Sequence, residues 1–460
     1  MSRINRKLKI IAITGFVLLL WIGSTSAATI VVSKTSPACT SGDDYYRSIQ
    51  AAVDNAEEGD EIVVCPGTYR EYIIIDKSVC IQSYSGAPDT IVEPYDPLLS
   101  GFQVMSDYVT IKGFTIKYGP SGITLHGVNH CNILNNAVSG STLGGIILNS
   151  SFNIILTNNS FYNNNVGIFC SFSFNNIIKH NVIKSNDLIG ISLFSSNGHN
   201  LIEENIVSNN RHGGISLYYS SNNTIRNNTV NANDYDGLKL DSSNHNSLSD
   251  NTANLNSEAG IRLSNSNHNT IDGNTANSNG DYGIEVVTSN YNIIKENTIT
   301  SNRGGFHLDR NDEDSMINCT GSNNNRIENN VVSNNRKGFL LSSSCNNTLK
   351  NNIVPNNIEG IGLSVSCNNT IRNNVVSSNL KGIILEYSSD NNIIENNIAS
   401  NNYGVGESGI HIDGSEKNII KDNIVNSNNG YGIHFFLARN NCLNNNIISS
   451  NNFLGIYGLL

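Results

Sequence analysis

A glycine-led repeat, which runs from Gly122 to Gly455, constrains the fold more than any other feature of this chain. The glycines follow one another at intervals of 22 to 24 residues, except for longer gaps after Gly305 and after Gly382. Fourteen copies are complete, and a fifteenth begins at Gly455. Such a period is typical of a solenoid, in which each turn buries its apolar face only by stacking on the next turn.

Each repeat contains three short bursts in which apolar and polar residues alternate. In the copy that begins at Gly214, the apolar positions hold Ile215, Leu217, Ile225 and Val230. A period of two over so few residues indicates β-strands rather than helices. We therefore predict three strands per turn, with these side chains inside a narrow core and the polar residues between the bursts at the corners.

Asparagine dominates the corners, since about 80 of the 460 residues are Asn. Equivalent residues of stacked turns lie about 4.8 Å apart, so amides at one position can hydrogen-bond along a column. A second Asn column lies five residues after the first. Only the first copy lacks its Asn and has Ser141 at that position. We interpret the Asn content as structural and not as a disordered low-complexity tract, because Ile and Val never lose register. The first column comprises Asn136, Asn159, Asn181, Asn205, Asn228, Asn251, Asn274, Asn297, Asn330, Asn352, Asn374, Asn397, Asn423 and Asn446.

The segment before the repeats predicts a cap. Residues 48–56 have apolar side chains at helical spacing, and Gly59 follows as a stop signal. A short amphipathic helix there would cover the unpaired strand edge of the first coil. Residues 60–71 then read Asp-Glu-Ile-Val-Val-Cys-Pro-Gly-Thr-Tyr-Arg-Glu.

The glycine-led turns, the Asn columns and the segment 60–71 resemble the repeats of NosD-like and related carbohydrate-binding and sugar-hydrolysis domains, in the superfamily that includes pectate lyases. The resemblance covers roughly residues 45–460. It implies an all-β fold: a right-handed, single-stranded parallel β-helix of about 14 regular coils plus N-terminal coils, with a short N-terminal capping helix. The predicted organisation is a signal peptide over 1–28, the cap and first irregular coils over 29–121, and regular repeats over 122–460.

The first 28 residues carry the features of a secretory signal peptide. Basic residues precede the apolar run 10–22, and the small residues 24–28 offer a cleavage site. A membrane-anchoring helix is the alternative reading. We predict a secreted or cell-surface protein, periplasmic if the source has an outer membrane. The net charge of −10 and the lack of a basic patch argue against nucleic acid as a partner.

Nine cysteines in an exported chain indicate disulfides with at least one thiol left over. Cys345 and Cys367 occupy the same offset in consecutive coils, which allows either a disulfide or two stacked thiols. Cys39, Cys65 and Cys80 fall in the cap region, where the pairing stays open. Cys170 stands at a core Leu position and is predicted to be a buried thiol.

A charged segment interrupts the first strand of four consecutive coils. Residues two and four after each glycine face outwards, and in the early coils these are mostly Ser, Thr or aromatic. From the coil of Gly237 onwards they become charged, and six of them form the candidate catalytic set: Lys239, Asp241, Arg262, Glu285, His307 and Asp309.

Stacking would bring these six side chains into one groove. By analogy with β-helix enzymes that act on acidic polysaccharides, Arg262 or Lys239 would neutralise a uronate, His307 would take the proton, and Asp241 or Glu285 would protonate the leaving oxygen. Hydrolysis would instead use two of the carboxyls. The structural alternative is a set of ion pairs along an exposed ladder, which serve solubility. Whether the protein is an enzyme therefore stays open between polysaccharide lyase, epimerase, glycoside hydrolase and no enzyme.

Two metal sites are also predicted. His411 and His434 stack on neighbouring coils with Asp413 on the same face, a set that suits zinc or copper. The acidic run 309–314, at the start of an eleven-residue insertion, suits Ca²⁺ or forms a mobile acidic loop over the groove.

Two functions of different classes fit these features. One is a secreted protein that binds, and in the enzyme alternative processes, polysaccharide along the exposed face of its first strand stack. The other is a non-catalytic structural or adhesive rod at the cell surface. The last, incomplete coil presents an apolar strand edge, which predicts end-to-end self-association.

Overall fold

A computed structural model describes residues 27–35, 37–310 and 319–458. These residues wind into a right-handed parallel β-helix of about 17 turns, so the predicted all-β solenoid is confirmed. Nearly all of the predicted signal peptide lies outside the described residues, and the domain boundaries stay predictions. Within the described ranges, no helix combines the length and the apolar character needed to cross a membrane.

Three parallel strand stacks form the walls of the helix. Stack 1 holds the glycine-led strands: Ile73–Ile75, Phe102–Val104, Ser121–His126, Gly144–Asn149, Val166–Ser171, Ile191–Phe194, Ile215–Tyr218, Leu238–Asp241, Ile261–Ser264, Tyr282–Val287, Gly304–Asp309, Lys337–Ser342, Glu359–Ser364, Lys381–Glu386, Ser408–Asp413, Tyr431–Phe436 and Ile456–Tyr457.

Stack 2 holds the second strand of each coil and two strands that precede the helix: Thr29–Val32, Asp44–Tyr46, Glu61–Val64, Cys80–Ser83, Thr110–Lys112, Asn132–Leu134, Ile155–Thr157, Ile177–Lys179, Leu201–Glu203, Thr224–Arg226, Ser247–Ser249, Thr270–Asp272, Ile293–Lys295, Arg326–Glu328, Thr348–Lys350, Thr370–Arg372, Ile393–Glu395, Ile419–Lys421 and Cys442–Asn444.

Stack 3 closes each turn and is bridged by single residue pairs at Thr252 and Ile353. Its strands are Gly67–Tyr69, Thr90–Val92, Thr115–Lys117, Ala137–Ser139, Ser160–Tyr162, Val182–Lys184, Ile206–Ser208, Thr229–Asn231, Thr275–Asn277, Thr298–Thr300, Val331–Ser333, Val375–Ser377, Ile398–Ser400, Ile424–Asn426 and Ile447–Ser449.

The core is one continuous column of aliphatic side chains. The predicted inward residues Ile215, Leu217, Ile225 and Val230 are all buried. The repeat glycine marks the place where stacks 1 and 3 approach most closely. A Cβ on Gly214 would lie 2.2 Å from Cγ1 of Val230. Because such an approach excludes any side chain, the glycine recurs in every coil.

The two predicted Asn columns are confirmed, and Asn228 shows their bonding. Its side-chain oxygen accepts hydrogen bonds from the backbone and the side-chain amide of Asn205, both at 3.0 Å. Its own amide donates to the carbonyl of Ile202 at 2.9 Å and to the side chain of Asn251 at 3.0 Å. Each buried amide thereby satisfies corner groups of two coils.

Two further buried columns are absent from the sequence predictions. One is a serine column at the first corner, in which Ser196, for example, donates its backbone N–H to Oγ of Ser220. The other is a third Asn column: Asn176, Asn200, Asn223, Asn246, Asn269, Asn292, Asn325, Asn347, Asn369, Asn392, Asn418 and Asn441.

The predicted cap helix spans Ile49–Asn55, with Ser48 as its N-cap. The side chain of Gln50 accepts from the backbone N–H of Ile74 and donates to its carbonyl, so it imitates a neighbouring strand at the edge of stack 1. The helix does not cover stack 2, because Thr29–Val32 and Asp44–Tyr46 extend that sheet ahead of Glu61–Val64.

The cysteine pairing differs from one expectation. Cys39 bonds to Cys65 in the cap, while Cys345 bonds to Cys319 and not to Cys367. The chain that returns from the insertion places the Cα of Cys319 4.9 Å from that of Cys345. Cys367 remains a thiol, whose backbone N–H donates to Sγ of Cys345 at 3.2 Å. Cys170 is the expected buried thiol, and burial raises its pKa to about 12.

Candidate functional site

The charged column, as we call Lys239, Arg262, Glu285 and His307, lies on the outer face of stack 1. These four residues pair directly with one another on successive strands, as the repeat predicts. Asp241 and Asp309 lie two positions further along their strands. Two coils lie between them and place Ser264 and Val287 at the intervening positions, so Asp241 and Lys239 form one end of the set.

Contacts inside the column centre on His307. Its Nδ1 lies 3.5 Å from Oε1 of Glu285, and its Nε2 lies 3.3 Å from Oδ2 of Asp309. On the other side of Glu285, Nη1 of Arg262 lies 3.3 Å from Oε2. Nη1 of Arg262 is also 3.8 Å from a carboxylate oxygen of Glu258. The imidazole is thus held between Glu285 and Asp309, and the Arg262 guanidinium is already engaged by Glu285 and Glu258.

Burial makes these contacts stronger than ordinary surface pairs. The side chains of His307 and Glu285 are 9% and 11% exposed. His307 Nδ1 makes no hydrogen bond of good geometry to the rest of the described chain, because 3.5 Å is long for one. A buried donor or acceptor in this state is costly, and a bound ligand or a small shift toward Glu285 would satisfy it.

The two carboxylates that flank His307 have opposite pKa shifts. Burial alone would raise the pKa of Glu285, but the contact with His307 and the charge of Arg262 outweigh it, and the pKa lies below the ordinary value. For Asp309 burial prevails over the attraction of His307, and the pKa lies above the ordinary value. Glu285 is therefore the stable anion, and Asp309 is the carboxyl that takes up a proton more readily.

Three residues of this site were missed by sequence reasoning: Asp236, Asp281 and Tyr282. The ring of Tyr282 stacks on His307 with 4.5 Å between centroids. Burial, followed by the charge of Asp281, raises its pKa to about 12, so the phenol stays protonated. Burial raises the pKa of Asp236 to about 6 against the lowering effect of Arg262.

The repeat carries a weak signal for Asp236 and Tyr282 and none for Asp281. Asp236 and Tyr282 stand immediately before their glycines, a position that also lies on the outer face. It holds Gly, Ser, Ala or an aliphatic residue in nine of the fifteen copies, and the exceptions are Asp236, Tyr282, Lys337, Glu359, Lys381 and Tyr431.

A comparable ladder elsewhere shows what ion pairs alone look like on this fold. On stack 2, Glu203 forms ion pairs with its two register partners. Its Oε1 lies 2.7 Å from Nη2 of Arg226, and its Oε2 lies 3.1 Å from Nζ of Lys179. This stack 2 ladder supports the structural alternative for charged residues on a strand face. It lacks the features that distinguish the charged column, namely a histidine held between two carboxylates and a tyrosine stacked on it.

A shallow cavity of about 320 Å³ continues the face beyond His307. It is lined by Lys337, Glu359 and Glu386 around Gly362, and Oγ of Ser342 lies 3.5 Å from Nε2 of His307. Two larger cavities, of about 540 and 720 Å³, lie in the cap region, away from the charged column.

The second predicted cluster is brought together in part. His411 and His434 pair in register, with 4.8 Å between ring centroids, and Asp413 lies on the same strand as His411. Burial and the neighbouring His434 lower the pKa of His411 to about 4. Across the residues that the structure describes, no three His, Cys, Asp or Glu side chains are grouped closely enough to hold a metal ion. The metal role of His411, Asp413 and His434 stays a prediction.

The calcium prediction also stays a prediction. Asp309 ends its strand as described above, whereas residues 311–314 of the acidic run lie outside the described residues.

Comparison with known families agrees with this architecture. The model of the right handed beta helix region matches residues 100–253, 190–313, 242–399 and 315–459, which together span most of the chain. The chain belongs to this family.

Similarity to individual proteins is more limited. A cell surface glycoprotein of Methanothermus fervidus is 31% identical over 102 residues, which are 22% of this chain and 17% of that protein's length. Among solved structures, the A-module of the Azotobacter vinelandii mannuronan C-5 epimerase AlgE6 superposes with a TM-score of 0.55. It is 17% identical, over 71% of this chain and 93% of that one.

The pre-mature gene product 12 of bacteriophage phi29 superposes with a TM-score of 0.50. It is 11% identical, over 89% of this chain and 71% of that one. At these identities both structural matches establish the fold and leave the activity to be argued from the site.

Proposed function

We propose that this protein is exported and binds polysaccharide along the outer face of stack 1, with the charged column as its central contact. The observation that carries the proposal is His307, buried between Glu285 and Asp309 on the surface of a rod. Support for a glycan ligand comes from the matched β-helix of an epimerase that acts on mannuronan. Support for an extracellular location comes from the segment shared with a cell surface glycoprotein.

Local charge favours a neutral or cationic glycan over a uronate. Arg262 is held by Glu258 and Glu285, and Arg303 lies 3.6 Å from Asp281, so these two cations are already paired. The carboxylates around them outnumber the cations. An incoming uronate would therefore meet net repulsion, with Lys239 as the cation best placed to oppose it.

Within the enzyme alternative, the site supports hydrolysis better than elimination. A glycoside hydrolase uses two carboxyl groups whose environments separate their pKa values, one as acid and the other as base or nucleophile. The lowered pKa of Glu285 and the raised pKa of Asp309 have this pattern. His307 between them would couple their protonation, and the protonated Tyr282 would donate a hydrogen bond to a sugar oxygen.

Retention of purified protein on immobilised polysaccharides tests the proposal. Mannan, xylan and chitosan represent neutral and cationic chains, and alginate represents uronates. The assay also follows new reducing ends, which report hydrolysis, and new unsaturated ends, which report elimination. We expect retention on a neutral or cationic chain, and a loss of about tenfold in affinity for Arg262→Ala and for His307→Ala, as for one buried charged contact.

The stack 2 ladder provides a matched control. Arg226→Ala removes the same kind of side chain from the same kind of ion pair, with Glu203 instead of Glu285 as the partner. It should leave affinity unchanged. Equal losses from Arg226→Ala and Arg262→Ala would show a general effect on the rod and would contradict a site at the charged column.

The alternative is a structural or adhesive rod at the cell surface. The regular Asn columns and the match to a cell surface glycoprotein favour it. It predicts no retention on any polysaccharide and concentration-dependent filaments in sedimentation. End-to-end association through the last coil is part of this alternative and would be reduced by removing residues 455–460.

A further inference from the structure

The aromatic strip, as we call Phe172, Phe194, Tyr218 and Tyr219, lies at the ends of stack 1 strands and at the first residues beyond them, in the coils just before the charged column. Phe194 and Tyr218 pair in register, and Asp241 follows at the next strand. Phe194 meets Phe172 and Tyr219 edge to face, with 6.2 Å between centroids in both pairs. Phe172, Phe194 and Tyr219 are all exposed. Neighbouring exposed aromatic rings on an acidic, polar rod indicate a surface that binds something.

Two serines form the floor beside this strip. Ser192 and Ser216 pair in register and are only 5% and 2% exposed. Elsewhere in the rod a buried serine hydroxyl is bonded, as when Oγ of Ser220 donates to the carbonyl of Tyr218. The hydroxyls of Ser192 and Ser216 form no hydrogen bond with any other residue that the structure describes. Two hydroxyls that lack protein partners, and that solvent still reaches, therefore lie next to exposed rings.

This combination matches the chemistry of a sugar ring. A pyranose has an apolar C–H face, which packs on an aromatic ring, and a rim of hydroxyls, which need hydrogen-bond partners. The coil spacing of about 4.8 Å is close to the length of one sugar residue, so successive units can follow successive strands. An apolar protein partner would satisfy the rings and leave both serine hydroxyls unpaired, which is unfavourable.

The strip also leads directly into the charged column. Nζ of Lys239 lies 5.9 Å from the centre of the Tyr218 ring, and Ser216 pairs with Lys239 in register. We infer that the aromatic strip, with Ser192 and Ser216, is a stacking subsite for neutral sugar units of the polysaccharide that the charged column contacts. This inference rests on the proposed function, because it places neighbouring sugar units of the same bound polysaccharide on the same face of the protein.

The test measures affinity of the full chain for the polysaccharide among mannan, xylan and chitosan that retains the wild type. Phe194→Ala removes an exposed ring, and we expect about a tenfold loss of affinity, as for one ring stack. Ser216→Ala should also lower affinity, with unchanged thermal unfolding. Phe436→Ala is the matched control, because Phe436 is an exposed phenylalanine at the same strand position with His434 in place of the serine floor.

The possible results separate the subsite from the proposed function. Loss with Phe194→Ala and not with Phe436→Ala supports the subsite. If Arg262→Ala weakens binding while Phe194→Ala behaves like Phe436→Ala, the subsite is wrong and the charged column stands. If no polysaccharide retains the wild type, both proposals fail. A change in sedimentation in place of a change in affinity would identify the strip as a contact between copies and would overturn the subsite.

Discussion

The ring of Tyr282 lies flat over Gly304, its direct partner on the next strand, and from there it stacks on His307. A Cβ on Gly304 would lie 2.3 Å from two carbons of the Tyr282 ring. Because no real Cβ is tolerated at that distance, the glycine allows the tyrosine to reach the histidine. Tyr282 and Gly304 both stand immediately before a repeat glycine, in consecutive coils. The first supplies the ring, and the second leaves the space that the ring occupies.

Gly304→Ala should therefore displace Tyr282 and destabilise the protein by about 1–3 kcal/mol, as overpacking does in a close-packed interior. Thermal and denaturant unfolding measure the change. Gly362→Ala is the control, since its Cβ would meet nothing nearer than 3.7 Å on the same stack and should be tolerated. A Gly304→Ala protein that is as stable as Gly362→Ala would contradict the packing of Tyr282 described above.

Asn228→Ala tests the Asn columns at the middle of the rod. The substitution removes the acceptor for the backbone and side-chain amides of buried Asn205 and leaves the carbonyl of Ile202 without its donor. Each unsatisfied buried group costs about 1–3 kcal/mol, so we expect a loss of at least about 3 kcal/mol in the free energy of unfolding. Urea denaturation measures it.

The adjacent residue offers the control for this prediction. Asn227 is exposed, has a φ of 55° and precedes the column residue. Asn227→Gly keeps the left-handed backbone accessible and should change stability by only a few tenths of a kcal/mol. Similar losses from the two substitutions would mean that asparagine serves the corner backbone and not the hydrogen-bonded column.

Asp236→Asn should stabilise the protein at neutral pH. Burial raises the pKa of Asp236 from 3.8 to about 6, so the folded state prefers the protonated carboxyl. The stability that the protonated Asp236 carboxyl contributes is fully present below pH 3.8, and it is lost as the pH rises through 6 and the buried carboxyl ionises. At 1.36 kcal/mol per pKa unit, the cost at pH 7 is at most about 3 kcal/mol. The amide has no charge to bury and can still accept from the backbone of Ala259.

Unfolding temperatures of both proteins at pH 7 and pH 4 measure this effect. We expect the variant to unfold at the higher temperature at pH 7 and the difference to vanish toward pH 4. A variant that is less stable than the wild type at pH 7 would show that Arg262 stabilises the ionised carboxylate more than burial opposes it.

The sequence predicted the solenoid well because its fold depends on a pattern repeated in every coil. Position, and not residue type alone, carried the information: any residue two after the glycine faces outwards, which placed Arg262, Glu285 and His307 in one column. Details that occur once escaped this reasoning. Cys319 pairs with Cys345 because of the path of a single insertion, which a repeat of 22 to 24 residues does not encode.

The third Asn column and Tyr282 were missed for a different reason. Asn223 and its equivalents stand next to a corner asparagine, and the two roles, one exposed with left-handed backbone and one buried in a column, look alike in sequence. Tyr282 reads as an ordinary strand aromatic. Only the absent side chain at Gly304 and the distance to His307 distinguish it, and both are properties of neighbouring coils in space.

His411 should make the protein sensitive to mild acid. Burial and the neighbouring His434 lower its pKa from 6.5 to about 4, so below pH 6.5 the unfolded chain takes up a proton that the folded state refuses. The stability that the neutral His411 imidazole contributes is fully present above pH 6.5, and it is lost as the pH falls to 4. At 1.36 kcal/mol per pKa unit this loss of stability is at most about 3.4 kcal/mol, and it is smaller because the ring is partly exposed.

His411→Gln should shrink the fall in unfolding temperature between pH 7 and pH 4, while His212→Gln, which alters an exposed imidazole, should not.

The same variants test the predicted metal site, because a neutral imidazole is the form that binds zinc. If His411, Asp413 and His434 hold Zn²⁺, added zinc will raise the unfolding temperature of the wild type at pH 7 and not that of His411→Gln. An equal rise in both proteins would place zinc elsewhere, and an unchanged acid response in His411→Gln would show that this imidazole is protonated in the folded state.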